Sequence, residues 1–176
     1  MTHAGTFALV VSSVALAGCS SGSNHASSTT TSPSTSASTT SAEQLTPQSL
    51  RLAVRTALRS NDQLSGLVLW TNRVPQDATK STRGPALVAL RKAAAQRLSK
   101  HLRIRTVSTN LQILSIKLDP SYARATAVIR SRQVVRPYRA GAPLGRAVKL
   151  DERARVELHR LGSKTTFVVW RVVGLR

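Results

Sequence analysis

At 176 residues, 41% of them hydrophobic, the chain has material for one ordinary packed domain. Its 26 Lys and Arg face only 7 Asp and Glu, a formal charge of +19, and this balance predicts attraction to lipid head groups, wall polymers or nucleic acid. A single cysteine, Cys19, excludes an internal disulfide framework and any cysteine-based zinc site.

The first 42 residues contain no Asp, Glu, Lys or Arg. FALVVSSVALA, residues 7 to 17, is apolar but well short of the ~20 residues that span a bilayer as a helix. It reads as the hydrophobic region of a signal peptide over residues 1–18. Leu16-Ala17-Gly18-Cys19 follows directly and resembles the lipobox of bacterial, actinobacterial-type lipoproteins. That resemblance implies cleavage between Gly18 and Cys19, a diacylglyceryl group on the Cys19 sulfur and acylation of its new amino group. Small Ala17 and Gly18 suit a narrow protease cleft, and a thiolate is the nucleophile that takes the lipid. MTHAGT, ahead of the apolar run, offers His3 where such signals carry Lys or Arg, which places the expected true start upstream of Met1.

Residues 19–44 read as the lipidated cysteine and a disordered tether. Of the twenty-three residues 20 to 42, sixteen are Ser or Thr, and nothing there can bury a core. The reach of such a tether is about 25 Å.

The globular domain is expected over residues 45–176. Thr46-Pro47 is a cap followed by proline at the first helical position. In SLRLAVRTALRS, Leu50, Ala53, Val54, Ala57 and Leu58 form one stripe, and Arg51, Arg55 and Arg59 another. Residues 71 to 85, with two prolines, read as a long loop. PALVALRKAAAQRLSKHL then predicts a second helix, with Leu87, Leu90, Ala94, Leu98 and Leu102 in register.

After His101 the β-branched residues take over, and strands are expected near 103–108, 111–118, 123–136, 147–161 and 165–174. Short turns between them imply an antiparallel meander. TTFVVWRVV, apolar on both faces, is expected in the centre of the sheet, with Phe167 and Trp170 in the core. Helices first and strands after predict an α+β domain. The layout, with ILSIKLDPSYARATAVIRSRQVVRPY and RARVELHRLGSKTTFVVW, is similar to the nuclear transport factor 2-like superfamily. This resemblance implies amino-terminal helices packed on a curved antiparallel sheet, a cone-shaped roll.

No GxxxxGK[ST], GxGxxG or GxSxG pattern occurs, and the domain's two histidines lack carboxylate motifs for a metal. No cofactor, metal or catalytic residue is expected. The best acid–base pair, Glu157 and His159, reads first as part of a surface charge ladder. Asp119 reads as a turn residue and Asp151-Glu152 as ion-pair partners.

The stronger constellation is cationic. In YARATAVIRSRQVVRP, Arg124, Arg130, Arg132 and Arg136 alternate onto one strand face, while Ala123, Ala125, Ala127, Ile129 and Val135 face the core. Arg153 and Arg155 add to them, as do Arg51, Arg55 and Arg59 on the first helix. Like charges at such spacing repel, which points to an anion that offsets the repulsion. The leading expectation is a lipid-anchored lipoprotein at the outer face of the cytoplasmic membrane. Its basic, non-catalytic domain would bind an anionic membrane surface, a wall polymer or an envelope protein. Two alternatives remain: a cytosolic nucleic-acid-binding protein, which would want aromatic platforms beside its arginines, and an enzyme or small-ligand binder using Glu157 and His159.

Overall fold

A computed structural model describes residues 45–162 and 164–175. The signal segment, Cys19 and the tether lie outside the described residues.

Helix α1 (Pro47–Thr71) opens as its sequence dictates. The Oγ1 of Thr46 accepts from the Ser49 N–H, the Thr46 N–H donates back to Ser49 Oγ, both at 3.1 Å, and Pro47 follows the cap. Leu50, Val54, Ala57 and Leu58 are buried and Arg51, Arg55 and Arg59 exposed. The helix continues past Ser60 because Leu64, Val68 and Leu69 carry the apolar stripe on to Thr71. It stops at Asn72, a C-cap in the left-handed region at φ 54°.

The expected loop over 71 to 85 is the connection of residues 72–83 between the two helices. A 3-10 turn occupies Gln76–Lys80, and the following residues run along a strand edge. Helix α2 (Gly84–Ser99) buries Leu87, Leu90 and Ala94 against Leu64, Val68 and Ala78. Leu98 and Leu102 leave the expected register. Leu98 is 57% exposed, and the helix has ended before Leu102, which starts a strand.

The sheet comprises β1 (Leu102–Leu118), β2 (Arg124–Arg139), β3 (Ala142–Pro143), β4 (Val148–Arg160) and β5 (Phe167–Leu175). It is antiparallel, in the order β1-β2-β4-β5 with β3 paired to β2, so the domain is two helices packed against a five-stranded sheet, an α+β fold. The two strands expected at 103–108 and 111–118 are one. Val107 and Leu114 stand at register shifts as bulges, 60% and 49% exposed, and they break the apolar alternation without breaking the strand. TTFVVWRVV forms an edge strand rather than the centre of the sheet. Its outer edge is paired by Ser81–Arg83, where the Arg83 N–H donates to Val169 O and the Val169 N–H donates to Ser81 O.

One sheet face meets α1: Ala125, Ala127, Ile129, Ala154, Val156, Leu158, Phe167 and Val169 pack on Leu50, Val54, Ala57 and Leu58. Ala123, expected among them, is exposed in the turn before β2. At the far end Trp70 of α1 meets Tyr138 edge-on at 5.5 Å. The opposite sheet face is the side that carries the functional candidates.

Candidate anion-binding face

Strand alternation does what the sequence predicts on β2. Ala125, Ala127, Ile129, Ser131, Gln133 and Val135 are buried, while Arg124, Arg132 and Arg136 are exposed and Arg130 half-buried. The register then sets β4 beside them: Arg124 opposite His159, Arg130 opposite Arg153, Arg132 opposite Asp151 and Val128 opposite Arg155. Arg105 of β1 lies opposite Arg136. The strand arginines therefore share one face, with two pairs of like charge directly across from each other, an arrangement that costs stability. Arg51, Arg55 and Arg59 do not join them. They belong to the helical layer, on the other side of the sheet.

Asp151 organises the centre of the face. Its carboxylate accepts from Arg130 Nε at 2.7 Å and Nη2 at 2.5 Å, and from Arg132 Nε at 3.3 Å. The Arg130 hydrogen bonds hold its carboxyl below the ordinary aspartate range, with the charges of Arg130 and Arg132 adding to the effect. Glu152, expected as a second ion-pair partner, points to the helix side opposite Ser131, and burial raises its carboxyl. Asp119 behaves as a turn residue, accepting from the Arg124 N–H at 3.2 Å and from Ser121 Oγ at 2.9 Å.

Beside Asp151 the face is indented. Ser108, Val134 and Lys149 form one cross-strand rung and Asn110, Arg132 and Asp151 the next. Between them the backbone of Thr109, Gln133 and Leu150 floors a trough of about 330 Å³. The sequence singled out Arg132 but neither Asn110 nor Lys149, because only the register of three strands brings them to one opening.

Glu157 and His159 do share this face, as expected. Glu157 lies 3.9 Å from Arg171, and the His159 ring stacks on Trp170 with centroids 4.5 Å apart and planes 7° from parallel. Burial chiefly, and then Arg124, lower the His159 pKa, with Glu157 opposing them. The imidazole is thus a neutral packing partner at neutral pH. Trp170 is not the core residue the sequence suggests. It is the extra residue at the register shift of β5, lying between His159 and Gly84 on the arginine face.

Between the layers both elements turn polar at the same level. The side of α1 that is apolar at Leu58 becomes Asp62 and Ser65, and β2 turns from Ile129 to Ser131 and Gln133. Asp62 is 2% exposed, its Oδ1 has no hydrogen-bond partner, and burial lifts its pKa to about 7. Thr106 and Thr109 likewise bury hydroxyls without partners. Among the described residues no group of three His, Cys, Asp or Glu could hold a metal, and no helix is long and apolar enough to cross a membrane.

No family model matches the chain, and no curated protein matches it. Among solved structures it is similar to the intermembrane space region of the chloroplast protein ARC6, with a TM-score of 0.59 at 12% identity over 69% of this chain and 93% of that one. A likeness at that identity concerns the fold alone.

Proposed function

We propose that this chain is a secreted lipoprotein, anchored through Cys19 at the outer face of the cytoplasmic membrane, whose α+β domain binds an anionic surface through the open face of its sheet. The observation that carries the binding half is the convergence of Arg124, Arg130, Arg132, Arg136, Arg153 and Arg155 on one uncovered face, with Arg130 directly opposite Arg153. Cross-strand pairs of like charge cost stability that a bound anion recovers. Leu16-Ala17-Gly18-Cys19 and the Ser/Thr tether support the anchor. A single acyl anchor holds a protein weakly, so a basic face supplies the second membrane signal. The sheet is read as the cone-shaped roll of the nuclear transport factor 2-like superfamily. The bulges at Val107 and Leu114 in β1 and at the Glu157/Leu158 register shift between β4 and β5 support this, since bulges bend a strand and increase its twist.

Two measurements test the proposal together. Cells expressing the chain should incorporate labelled lipid into the wild type and not into Cys19→Ala, and an unlabelled, soluble wild type would refute the anchor. The purified chain should sediment with anionic vesicles in a salt-dependent manner, and indifference to vesicle charge would refute the binding face.

One observation favours a second reading. His159, stacked on Trp170 and flanked by Arg124 and Arg171, sets an aromatic ring among cations, as nucleic-acid-binding faces do. Titration with single-stranded DNA at physiological salt separates the readings: tight binding accompanied by quenching of Trp170 would favour nucleic acid over a membrane.

A further inference from the structure

We infer that the trough between the two cross-strand rungs holds the polyol phosphodiester head group of an anionic membrane lipid. The inference rests on the membrane-facing reading above and gives its ligand a chemical class. The opening of about 330 Å³ lies at the small end of ligand sites, the size of a head group.

Its walls are chemically mixed in a way that a generic basic surface is not. Lys149 stands on one rung and Arg132 on the other, so cations flank the gap from both sides. A lysine and an arginine on opposing walls suit a monoanionic phosphodiester. Asn110 and Ser108 add a neutral amide and a hydroxyl at the β1 end. Asp151, ionised and tethered to Arg130 and Arg132, fixes both guanidinium groups against the sheet. The remaining lone pair of its Oδ1 accepts one more hydrogen bond, which a polyol hydroxyl donates and a fully deprotonated anion does not. Val134 and the aliphatic stems of Arg132 and Lys149 form the apolar part of the wall, against which a glycerol carbon chain lies.

The test uses the full chain and three probes: phosphatidylglycerol vesicles, vesicles of equal charge made with a fatty carboxylate, and soluble glycerophosphoglycerol as competitor. The wild type should prefer phosphatidylglycerol to carboxylate vesicles by about tenfold, and millimolar competitor should displace it from the former only. Asn110→Ala is the decisive variant, because Asn110 is exposed and its loss leaves the net charge unchanged. It should abolish most of the preference while changing carboxylate-vesicle binding less than twofold. Lys149→Ala should lower both, phosphatidylglycerol more. Equal binding to the two vesicle types in the wild type, or an Asn110→Ala preference equal to the wild type's, would overturn the trough and leave the basic face intact. Failure to bind either vesicle would overturn the basic face itself. Soluble diester bound as tightly as the vesicle would reassign the ligand to a free or polymeric phosphodiester and overturn the head-group source.

Discussion

Asp62 and Gly84 show how much a single position can be made to carry. A carboxyl taken from 3.8 to about 7 by burial is strained when ionised. The folded state binds its proton more tightly than the unfolded chain does. Stability contributed by the protonated form is therefore complete below pH 3.8 and lost as pH rises through about 7. The difference amounts to about 4 kcal/mol at most. Asp62→Asn keeps the shape and removes the titration. Denaturant melts should show the variant more stable than the wild type at pH 8, by up to that amount, with the two curves converging at pH 4. Gly84 is constrained by geometry instead. Its φ of +55° is in the left-handed region, and a Cβ there would sit 2.7–2.8 Å from the Trp170 indole. Gly84→Ala should cost about 2–4 kcal/mol and shift Trp170 fluorescence, since the ring must leave its place over His159. An unshifted spectrum with unchanged stability would mean that the indole moves freely there.

Elements were legible in the sequence where one pattern governs them. The Thr46-Pro47 cap, the arginine stripe of α1 and the alternation of β2 are local chemistry, and the structure places them as the residues dictate. What escaped was set by neighbours. Val107 and Leu114 interrupt the alternation of β1, so one strand reads as two. The apolar FVVW of β5 reads as central, yet it lies at the edge of the named strands, and its outer edge is paired by residues 81–83, some eighty positions away in the chain. The candidate face was half visible: the alternating arginines of β2 could be read, but their pairing with Arg153, Asp151 and Lys149 required the register. That pairing is testable in the sheet itself. Arg153→Gln removes the like charge opposite Arg130 and should raise the melting temperature by about 1–3 °C at low ionic strength. The gain should vanish in ~1 M salt, where the Debye length is about 3 Å. A gain that survives high salt would trace to packing rather than to charge.

At the scale of the whole molecule, a charge of +19 does not act as a single quantity, because it is divided between two layers. Arg51, Arg55 and Arg59 are exposed on α1, while Arg132, Arg153 and Arg155 are exposed on the sheet face that α1 does not touch. A helix is about 10–12 Å across. When one layer meets a membrane, the other therefore lies beyond the Debye length of about 8 Å at physiological salt. Each basic residue near an anionic surface contributes about 1 kcal/mol, and one outside that range contributes almost nothing. Replacing the three sheet arginines by Gln should accordingly weaken binding to anionic vesicles about 100-fold, while the same replacement of the three helix arginines should cost less than threefold. Both triple variants carry a charge of +16, from 19 − 3, so a response to net charge alone would make them equal. Equal losses in sedimentation with vesicles at 0.15 M salt would show that no face is preferred, and a larger loss in the helix variant would turn the molecule over.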